Sequence, residues 1–134
     1  MIIIQMAGGL GNQMQQYALY RKLVSLGKEA KLDISWFEQA DRQERVYAKR
    51  ELELNYFENL KYQVCTEDEK KALAGNGSLA GKLKGKLFPG TKKVFQESGM
   101  YHPEIFDFDD KYVCGYFACE KYYGDIMDML RDEF

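Results

Sequence analysis

The sequence has 134 residues, of which 46% are hydrophobic and 30% are charged. This length and composition suffice for one globular domain with a hydrophobic core. The formal net charge is −2 and the pI about 5.5, so nothing indicates a protein that binds nucleic acids or membrane surfaces through general charge attraction.

The use of cysteine and histidine indicates an intracellular protein without a metal site. Cys65, Cys114 and Cys119 are odd in number and show no C-x-x-C spacing, so we interpret them as reduced thiols. His102 is the one histidine and cannot build a His-rich metal site. The start of the chain lacks a signal-peptide pattern, and no apolar run approaches the roughly 20 residues of a membrane span. We therefore expect a cytoplasmic protein without a His-rich metal site.

The start of the chain combines a strand pattern, a glycine turn and a helix pattern. Residues 2–6 predict a buried strand, and residues 12–26 predict a helix packed on a sheet. Between them lie Gly8, Gly9 and Gly11, which let the backbone come close to a ligand. Unpaired N–H groups at the start of the helix would then face a bound phosphate.

This pattern partly matches the dinucleotide fingerprint G-x-G-x-x-G. Gly9 and Gly11 occupy the first two glycine positions, and Asp33 lies near the spacing of a ribose-binding carboxylate. Met14 stands at the third glycine position, where its side chain would obstruct close packing of helix and strand. The pattern alone leaves open both a dinucleotide site and a tight turn without a ligand.

The rest of the chain alternates strand and helix patterns. Residues 30–34 and 112–117 predict strands that join residues 2–6 in one parallel sheet. Residues 120–134 predict a second covering helix, because their apolar side chains recur with a helical period. Residues 66–74 begin with Thr-Glu-Asp-Glu, a capping-box sequence that predicts a short helix. Residues 93–96 predict a further short strand, whereas for residues 51–60 a strand and a helical turn both stay open.

Four further features offer candidate sites, each with a commoner structural interpretation. Trp36 and Phe37 could stack on a sugar, although an aromatic pair more often packs within a loop. The lysines of residues 75–93 could hold a diphosphate, although lysine and glycine together favour a solvated loop. His102 could act as a general base, although a histidine before proline more often serves packing. The aspartates at positions 107, 109 and 110 could bind a metal, but a solvated turn before a strand is the better interpretation.

Two segments resemble bacterial alpha-1,2-fucosyltransferases. The string GGLGNQMQQYALYRKL, residues 8–23, is similar to their N-terminal motif, in which Gly-Gly-Leu-Gly-Asn-Gln-Met precedes an aromatic residue, a Gln and a Tyr. Here Gln15 stands at the aromatic position, while Gln16 and Tyr17 agree with the family. The string GYFACEKYYGDIMDMLRDEF, residues 115–134, is similar to a segment from the middle of those proteins, with Ala118 and Cys119 replacing a polar pair. The resemblance covers the whole chain and corresponds to about the first half of a family member.

The resemblance implies a Rossmann-like parallel α/β sheet with flanking helices. Residues 1–134 would be the single N-terminal domain of a two-domain, GT-B-like glycosyltransferase. The family transfers L-fucose from GDP-fucose to the 2-hydroxyl of a terminal galactose, with inversion and without requiring a metal, so the resemblance implies no cofactor. The resemblance implies a catalytic role for Asn12 and substrate contacts from Gly9, Gly11, Asn12 and Gln13. Its implied partners are GDP-fucose and a galactose-terminated glycan, with no nucleic acid, in the cytoplasm or peripherally at the inner face of the membrane.

The family's diphosphate-binding motif, His-x-Arg-x-Gly-Asp, is not found in this sequence. The arginine of that motif would stabilise the charge that develops on the leaving diphosphate. We therefore expect these 134 residues alone to be inactive in transfer. We also expect self-association through an exposed interdomain face and the apolar residues Ile126, Leu130 and Phe134. The alternatives to a fucosyltransferase domain are a dinucleotide-binding oxidoreductase domain and a non-catalytic binding or assembly module.

Overall fold

A computed structural model describes residues 1–38, 50–75 and 93–134. These residues contain four short strands, numbered in chain order: β1 (Ile2–Gln5), β2 (Ala30–Asp33), β3 (Val94–Gln96) and β4 (Lys111–Cys114). The strands form one sheet in the order β2-β1-β4-β3, and each neighbouring pair is parallel. The predicted α/β fold with a parallel sheet is therefore confirmed. The predicted strand at residues 93–96 forms one edge of that sheet.

The described residues contain three α-helices: α1 (Leu10–Ser25), α2 (Glu67–Ala74) and α3 (Met127–Glu133). The capping box predicted for α2 is present. The Thr66 hydroxyl accepts a hydrogen bond from the Glu69 N–H at 3.1 Å, and the Glu69 carboxylate accepts one from the Thr66 N–H at 2.8 Å. No helix in the described part of the chain is long and apolar enough to cross a membrane.

Short 3-10 turns connect these elements. The described ranges contain five of them: Ser35–Glu38, Glu53–Tyr56, Pro103–Asp107, Glu120–Tyr122 and Gly124–Ile126. The turn at Glu53–Tyr56 decides the alternative left open for residues 51–60 in favour of a helical turn, which buries Leu54. The predicted loop at residues 75–93 falls outside the described residues, apart from Gly75 and Lys93.

The helix predicted for residues 120–134 is wrong over its first half, since only Met127–Glu133 is α-helical. The preceding residues form two 3-10 turns, and Tyr123 between them has a φ of −142°, outside the helical region. The Tyr123 hydroxyl donates to the Phe117 carbonyl at 3.1 Å, and the Tyr122 hydroxyl donates to the Met100 carbonyl at 3.1 Å. These tertiary contacts outweigh the local helical preference.

The main core lies on the face of the sheet that α1 covers, and Leu130 of α3 contributes to it. The strand β1 is buried on both faces, since Ile2 and Ile4 join the main core while Ile3 joins a second cluster. That second cluster consists of Ile3, Leu73 and Tyr112, beside α2. The large side chains of the main core include Met6, Tyr17, Leu19, Leu23, Leu32, Leu54, Ile105, Val113, Phe117, Tyr122 and Leu130.

The apolar stripe formed by Ile126, Leu130 and Phe134 packs against the main core, so its predicted exposure is wrong. Leu130 is only 4% exposed, and Ile126 and Phe134 pack against the main core. The Phe134 ring lies edge-on to Tyr17 and Phe57, with centroid distances of 5.4 and 5.2 Å. The sequence could not show that distant core residues would bury this stripe. Self-association through it therefore loses its structural basis.

Candidate functional site

A cleft opens at the carboxyl end of the sheet, between β1 and β4. The chain passes from β1 to β2 on one side, whereas β4 and β3 lie on the other, so the strand order reverses at this point. In open parallel sheets, ligands bind in the crevice at such a reversal. The cleft has a volume of about 450 Å³ and is lined by Gln5, Ala7, Gln16, Trp36, Gln96, Glu97, Gly99, Cys114, Gly115, Tyr116 and Ala118.

The lining of this cleft combines aromatic, amide and carboxylate groups. Trp36 and Tyr116 supply two aromatic rings, and three glutamines supply amides that both donate and accept hydrogen bonds. Among the described lining residues Glu97 carries the one formal charge, and it is negative. A phosphate is held by cationic donors, which this lining lacks. The cleft therefore suits a neutral, polyhydroxylated ligand better than a phosphate.

The glycine turn lies beside the cleft and begins α1 earlier than predicted. Gly9 is the N-cap of α1, which starts at Leu10 and not at residue 12, so Gly11 belongs to the first helical turn. Gly8 has a φ of +85°, and a Cβ placed there would lie 2.6 Å from the Asn12 amide nitrogen. A side chain at position 8 would therefore be both strained and crowded.

A cationic side chain lies over this turn. A Cβ built on Gly9 would be 3.3 Å from the Arg50 guanidinium nitrogen Nη1. The first turn of α1 contains no acidic residue, and its N-terminus has no side-chain cap. The partial positive charge of the helix end and the Arg50 charge therefore reinforce each other at Gly9. This side of the turn is suited to negative charge, in contrast to the cleft.

The side chain of Gln13 fixes the glycine turn from inside the protein. Gln13 is fully buried, and its Nε2 donates to the carbonyl oxygens of Gly8 at 3.1 Å and Glu51 at 2.8 Å. Its Oε1 accepts from the Glu53 N–H at 2.8 Å. The amide thus joins the turn to the segment around Glu53–Tyr56. The substrate contact implied for Gln13 stays a prediction, and the observed contacts are with the protein itself.

Gln16 holds together the two loops that border the cleft. Its Oε1 accepts from the Ala7 N–H at 3.1 Å, and its Nε2 donates to the Gly115 carbonyl at 2.8 Å. Ala7 follows β1 and Gly115 follows β4, so one side chain ties together the ends of both strands. The sequence reasoning gave Gln16 no role. The spacing of Gln13 and Gln16 in the sequence could have indicated this role, because residues three apart lie on one face of a helix, here with both amides buried.

The other implied site residues lie at the turn and not in the cleft. Asn12 is partly exposed, and its side chain lies over Gly8 without a hydrogen-bond partner among residues 1–38, 50–75 and 93–134. Gly11 is exposed, with nothing within 4 Å of an added Cβ. Gly9 lies under Arg50. The roles implied for these residues stay predictions, and the structure brings them together at one turn.

Asp33, the candidate ribose-binding residue, is engaged in a buried network. It is 3% exposed, forms an ion pair with Lys70 at 3.2 Å and accepts hydrogen bonds from the Ser35 N–H and the Tyr112 hydroxyl. Burial acts to raise the pKa of Asp33, but these hydrogen bonds and the Lys70 charge bring its pKa below the usual value. Both oxygens of the Asp33 carboxylate therefore already have partners within the protein.

The thiol of Cys65 lies close to this network. Burial, together with the neighbouring carboxylates of Asp33 and Glu69, raises the pKa of Cys65 to about 11. A thiol with such a pKa stays protonated at neutral pH and is a poor nucleophile. The interpretation of this cysteine as a reduced thiol agrees with its lack of a disulfide partner among the described residues.

His102 is part of a hydrogen-bonded loop and does not line the cleft. Its Nε2 lies 2.9 Å from the Ser98 hydroxyl, and its Nδ1 lies 2.9 Å from a Glu104 carboxylate oxygen. The ring also packs edge-on against Phe95, with a centroid distance of 5.2 Å. These contacts tie the residues after β3 to the turn that begins at Pro103. The packing interpretation of His102 fits this arrangement.

The aspartates before β4 lie at the protein surface. Asp110 pairs with the N-terminal ammonium group at 3.0 Å, and Asp109 lies 4.0 Å from the Lys28 amine with 90% of its side chain exposed. In the described part of the chain, no group of three or more His, Cys, Asp or Glu side chains is arranged to hold a metal ion. These carboxylates belong to the turn that precedes β4.

The site as a whole therefore has two chemically different parts. The cleft offers hydrogen-bonding side chains and aromatic faces, while the glycine turn offers backbone N–H groups, the Asn12 amide and the Arg50 charge. A ligand with an uncharged polar part and an anionic part would match both. Comparisons of the chain with protein-family models, with curated proteins and with solved structures give no match.

Proposed function

We propose that this chain is the N-terminal, acceptor-binding domain of a GT-B-like alpha-1,2-fucosyltransferase. The complete enzyme would transfer L-fucose from GDP-fucose to the 2-hydroxyl of a terminal galactose, with inversion. The observation that carries the proposal is the composition of the cleft between β1 and β4, with Trp36, Tyr116, three amides and one carboxylate. Sugar hydroxyls bond to amides and carboxylates, while aromatic rings cover the apolar faces of the sugar.

The reaction class comes from the resemblance of residues 8–23, and the surroundings of Gln15 support it. Gln15 stands where the fucosyltransferase motif has an aromatic residue. Its Oε1 is buried, with no hydrogen-bond partner among the described residues. A buried oxygen without a partner is unfavourable, so this position is better suited to an apolar side chain. The local structure thus agrees with an aromatic residue at this position of the motif.

The donor would lie at the glycine turn. Gly9 and Gly11 would bring the backbone close to the donor phosphate or fucose, and Arg50 would add a positive charge there. Asn12 would hydrogen-bond the reacting groups, which is the catalytic role that the motif implies. Acceptor and donor would then meet where the cleft borders the turn.

The two alternatives have less support. A dinucleotide-binding domain needs a carboxylate free to bind the ribose, whereas Asp33 is paired with Lys70 and bonded to Tyr112. An assembly module would bury the apolar face of α3 and the cleft face against another copy, but Leu130 of α3 is already buried in the core.

The fluorescence of Trp36 tests the proposal directly, because Trp36 is the one tryptophan of the chain and lines the cleft. We expect a galactose-terminated disaccharide such as lactose to change its emission in a saturable way. Maltose, which ends in glucose, serves as the matched control and should have a much smaller effect. The variant Trp36→Phe should remove the signal.

Two results of this titration would contradict the proposal. One is the absence of any saturable change with the galactoside. The other is saturable binding of NADH with a higher affinity than that of the galactoside, detected by energy transfer from Trp36. The second result would favour the dinucleotide-binding alternative.

A further inference from the structure

Glu97 occupies a distinctive position in the cleft. It follows β3 directly, and its backbone N–H donates to the Cys114 carbonyl at 2.8 Å, which places it at the end of β4. Its carboxylate is the one charged group among the described residues that line the cleft. Glu97 therefore offers the strongest hydrogen-bond acceptor to a ligand that would bind in the cleft.

The protein orients this carboxylate through one of its oxygens. Glu97 Oε1 accepts a hydrogen bond from the Phe117 N–H at 3.0 Å. An ionised carboxylate has room for about four hydrogen bonds, so it can accept further donors.

The backbone beside Glu97 adopts conformations that are costly for ordinary residues. Phe117 has a φ of +54°, a region that non-glycine residues rarely occupy, and its ring is fully buried. Gly115 has a φ of +152°, and a Cβ there would lie only 2.6 Å from the Cβ of Glu97. Strain of this kind persists where the surrounding structure enforces it, and it concentrates at functional sites. Here it allows Glu97 to approach β4 and places the Phe117 N–H on its carboxylate.

We infer that Glu97 binds the acceptor by accepting a hydrogen bond from the 2-hydroxyl of its galactose. This inference rests on the proposed function and adds the residue that selects the reactive hydroxyl. The 2-hydroxyl must lose its proton during transfer, so it needs a hydrogen-bond acceptor at the site. Glu97 is the cleft residue with that chemistry, and Trp36 and Tyr116 supply the rings that hold the sugar beside it.

A thermodynamic cycle of binding affinities, which combines one protein variant with one altered ligand, tests this inference. The ligands are lactose and its analogue lacking the 2-hydroxyl of the galactose, and the readout is Trp36 emission. For the wild-type chain we expect the deoxy analogue to bind about tenfold more weakly, as for a hydrogen bond to a charged acceptor. Glu97→Gln should bind lactose about tenfold more weakly and should no longer distinguish the two ligands. Glu104→Gln removes a nearby carboxylate outside the cleft and should behave as the wild type.

The outcomes separate this inference from the proposed function. If lactose binds but Glu97→Gln still prefers it over the deoxy analogue by the wild-type factor, the role of Glu97 is wrong and the proposed function stands. If no galactoside binds to the wild type, both are wrong. Should Glu97→Gln fail to fold, the wild-type comparison decides the question. Equal affinity of the wild type for the two ligands overturns the inference. A loss of affinity confined to the analogue lacking the 2-hydroxyl, among a series of deoxy analogues, supports it.

Discussion

Gln16 Nε2 donates a hydrogen bond to the Gly115 carbonyl at 2.8 Å, which links α1 to the loop that follows β4. The same amide accepts from the Ala7 N–H, in the loop that follows β1. The two loops border the cleft on either side of the strand reversal. The geometry of the cleft therefore depends on one buried side chain of α1.

Replacing Gln16 by leucine should destabilise the protein, whereas the same change at Gln15 should not. Gln16→Leu keeps a similar volume but leaves the Ala7 N–H and the Gly115 carbonyl without partners, so the free energy of unfolding should fall by about 2–4 kcal/mol. Gln15→Leu removes a buried oxygen that has no partner among the described residues, so the effect should be neutral or stabilising. Urea denaturation of both variants measures the difference. Equal losses in the two variants would contradict the role of Gln16.

The α/β fold was predicted mainly from the pattern of hydrophobic residues. The run Ile2 to Ile4 is apolar at every position, as in a strand buried on both faces, and both faces of β1 are covered. The capping box at Thr66 is local in sequence, and the structure confirms it. Features that depend on neighbouring residues could therefore be predicted well.

Features that depend on distant residues could not be predicted. The first half of the helix predicted for residues 120–134 is replaced by 3-10 turns, where the Tyr123 hydroxyl bonds to Phe117 in a strained loop. Gln13 and Gln16 are polar residues of α1 whose hydrogen-bond partners lie in other segments of the chain. Glu97 became a candidate only when β3 and β4 placed it in the cleft. Contacts between side chains that are far apart in the sequence depend on the topology of the fold, which the local sequence pattern does not determine.

Replacing Asp33 by asparagine should destabilise the protein strongly at neutral pH. The change leaves the Lys70 ammonium group without its buried counter-charge, so the free energy of unfolding should fall by about 3 kcal/mol. Asp109→Asn is the matched control, because that side chain is 90% exposed, and it should change stability by less than about 0.5 kcal/mol. Urea denaturation at neutral pH compares the two.

The effect of Asp33→Asn should also depend on pH in a defined direction. The folded-state pKa of Asp33 lies below its usual value of 3.8, so the stabilisation by this carboxylate is fully present above that value. It is lost as the pH falls through the lower, folded-state pKa. The difference in stability between wild type and variant should therefore be constant from neutral pH to about pH 5 and shrink below about pH 4. A difference that grows on acidification would contradict the assigned network.

Alanine substitutions in the glycine turn should separate stability from ligand binding. Gly8→Ala introduces a side chain at a φ of +85°, and should lower the free energy of unfolding by about 1–2 kcal/mol. Gly11→Ala meets open space inside a helix, and should raise it by about 0.5–1 kcal/mol. If the backbone at Gly11 approaches the donor, Gly11→Ala should nevertheless weaken GDP-fucose binding in calorimetric titration. Unchanged GDP-fucose affinity in this stabilised variant would remove Gly11 from the predicted site.

The 134-residue chain alone should form no fucosylated product from GDP-fucose and lactose. Transfer with inversion builds negative charge on the departing diphosphate, and a charge-assisted bidentate donor is the group that stabilises it. The sequence has no His-x-Arg-x-Gly-Asp motif, and the charged group that lines the cleft, Glu97, is an anion. Arg50 lies at the glycine turn, and without that motif we expect a rate deficit of about a thousandfold or more. Chromatographic detection of fucosyl-lactose, with a complete fucosyltransferase as the positive control, measures this. Product above the level of a protein-free control, lost in Arg50→Gln but retained in Arg131→Gln, would show instead that Arg50 supplies the missing charge.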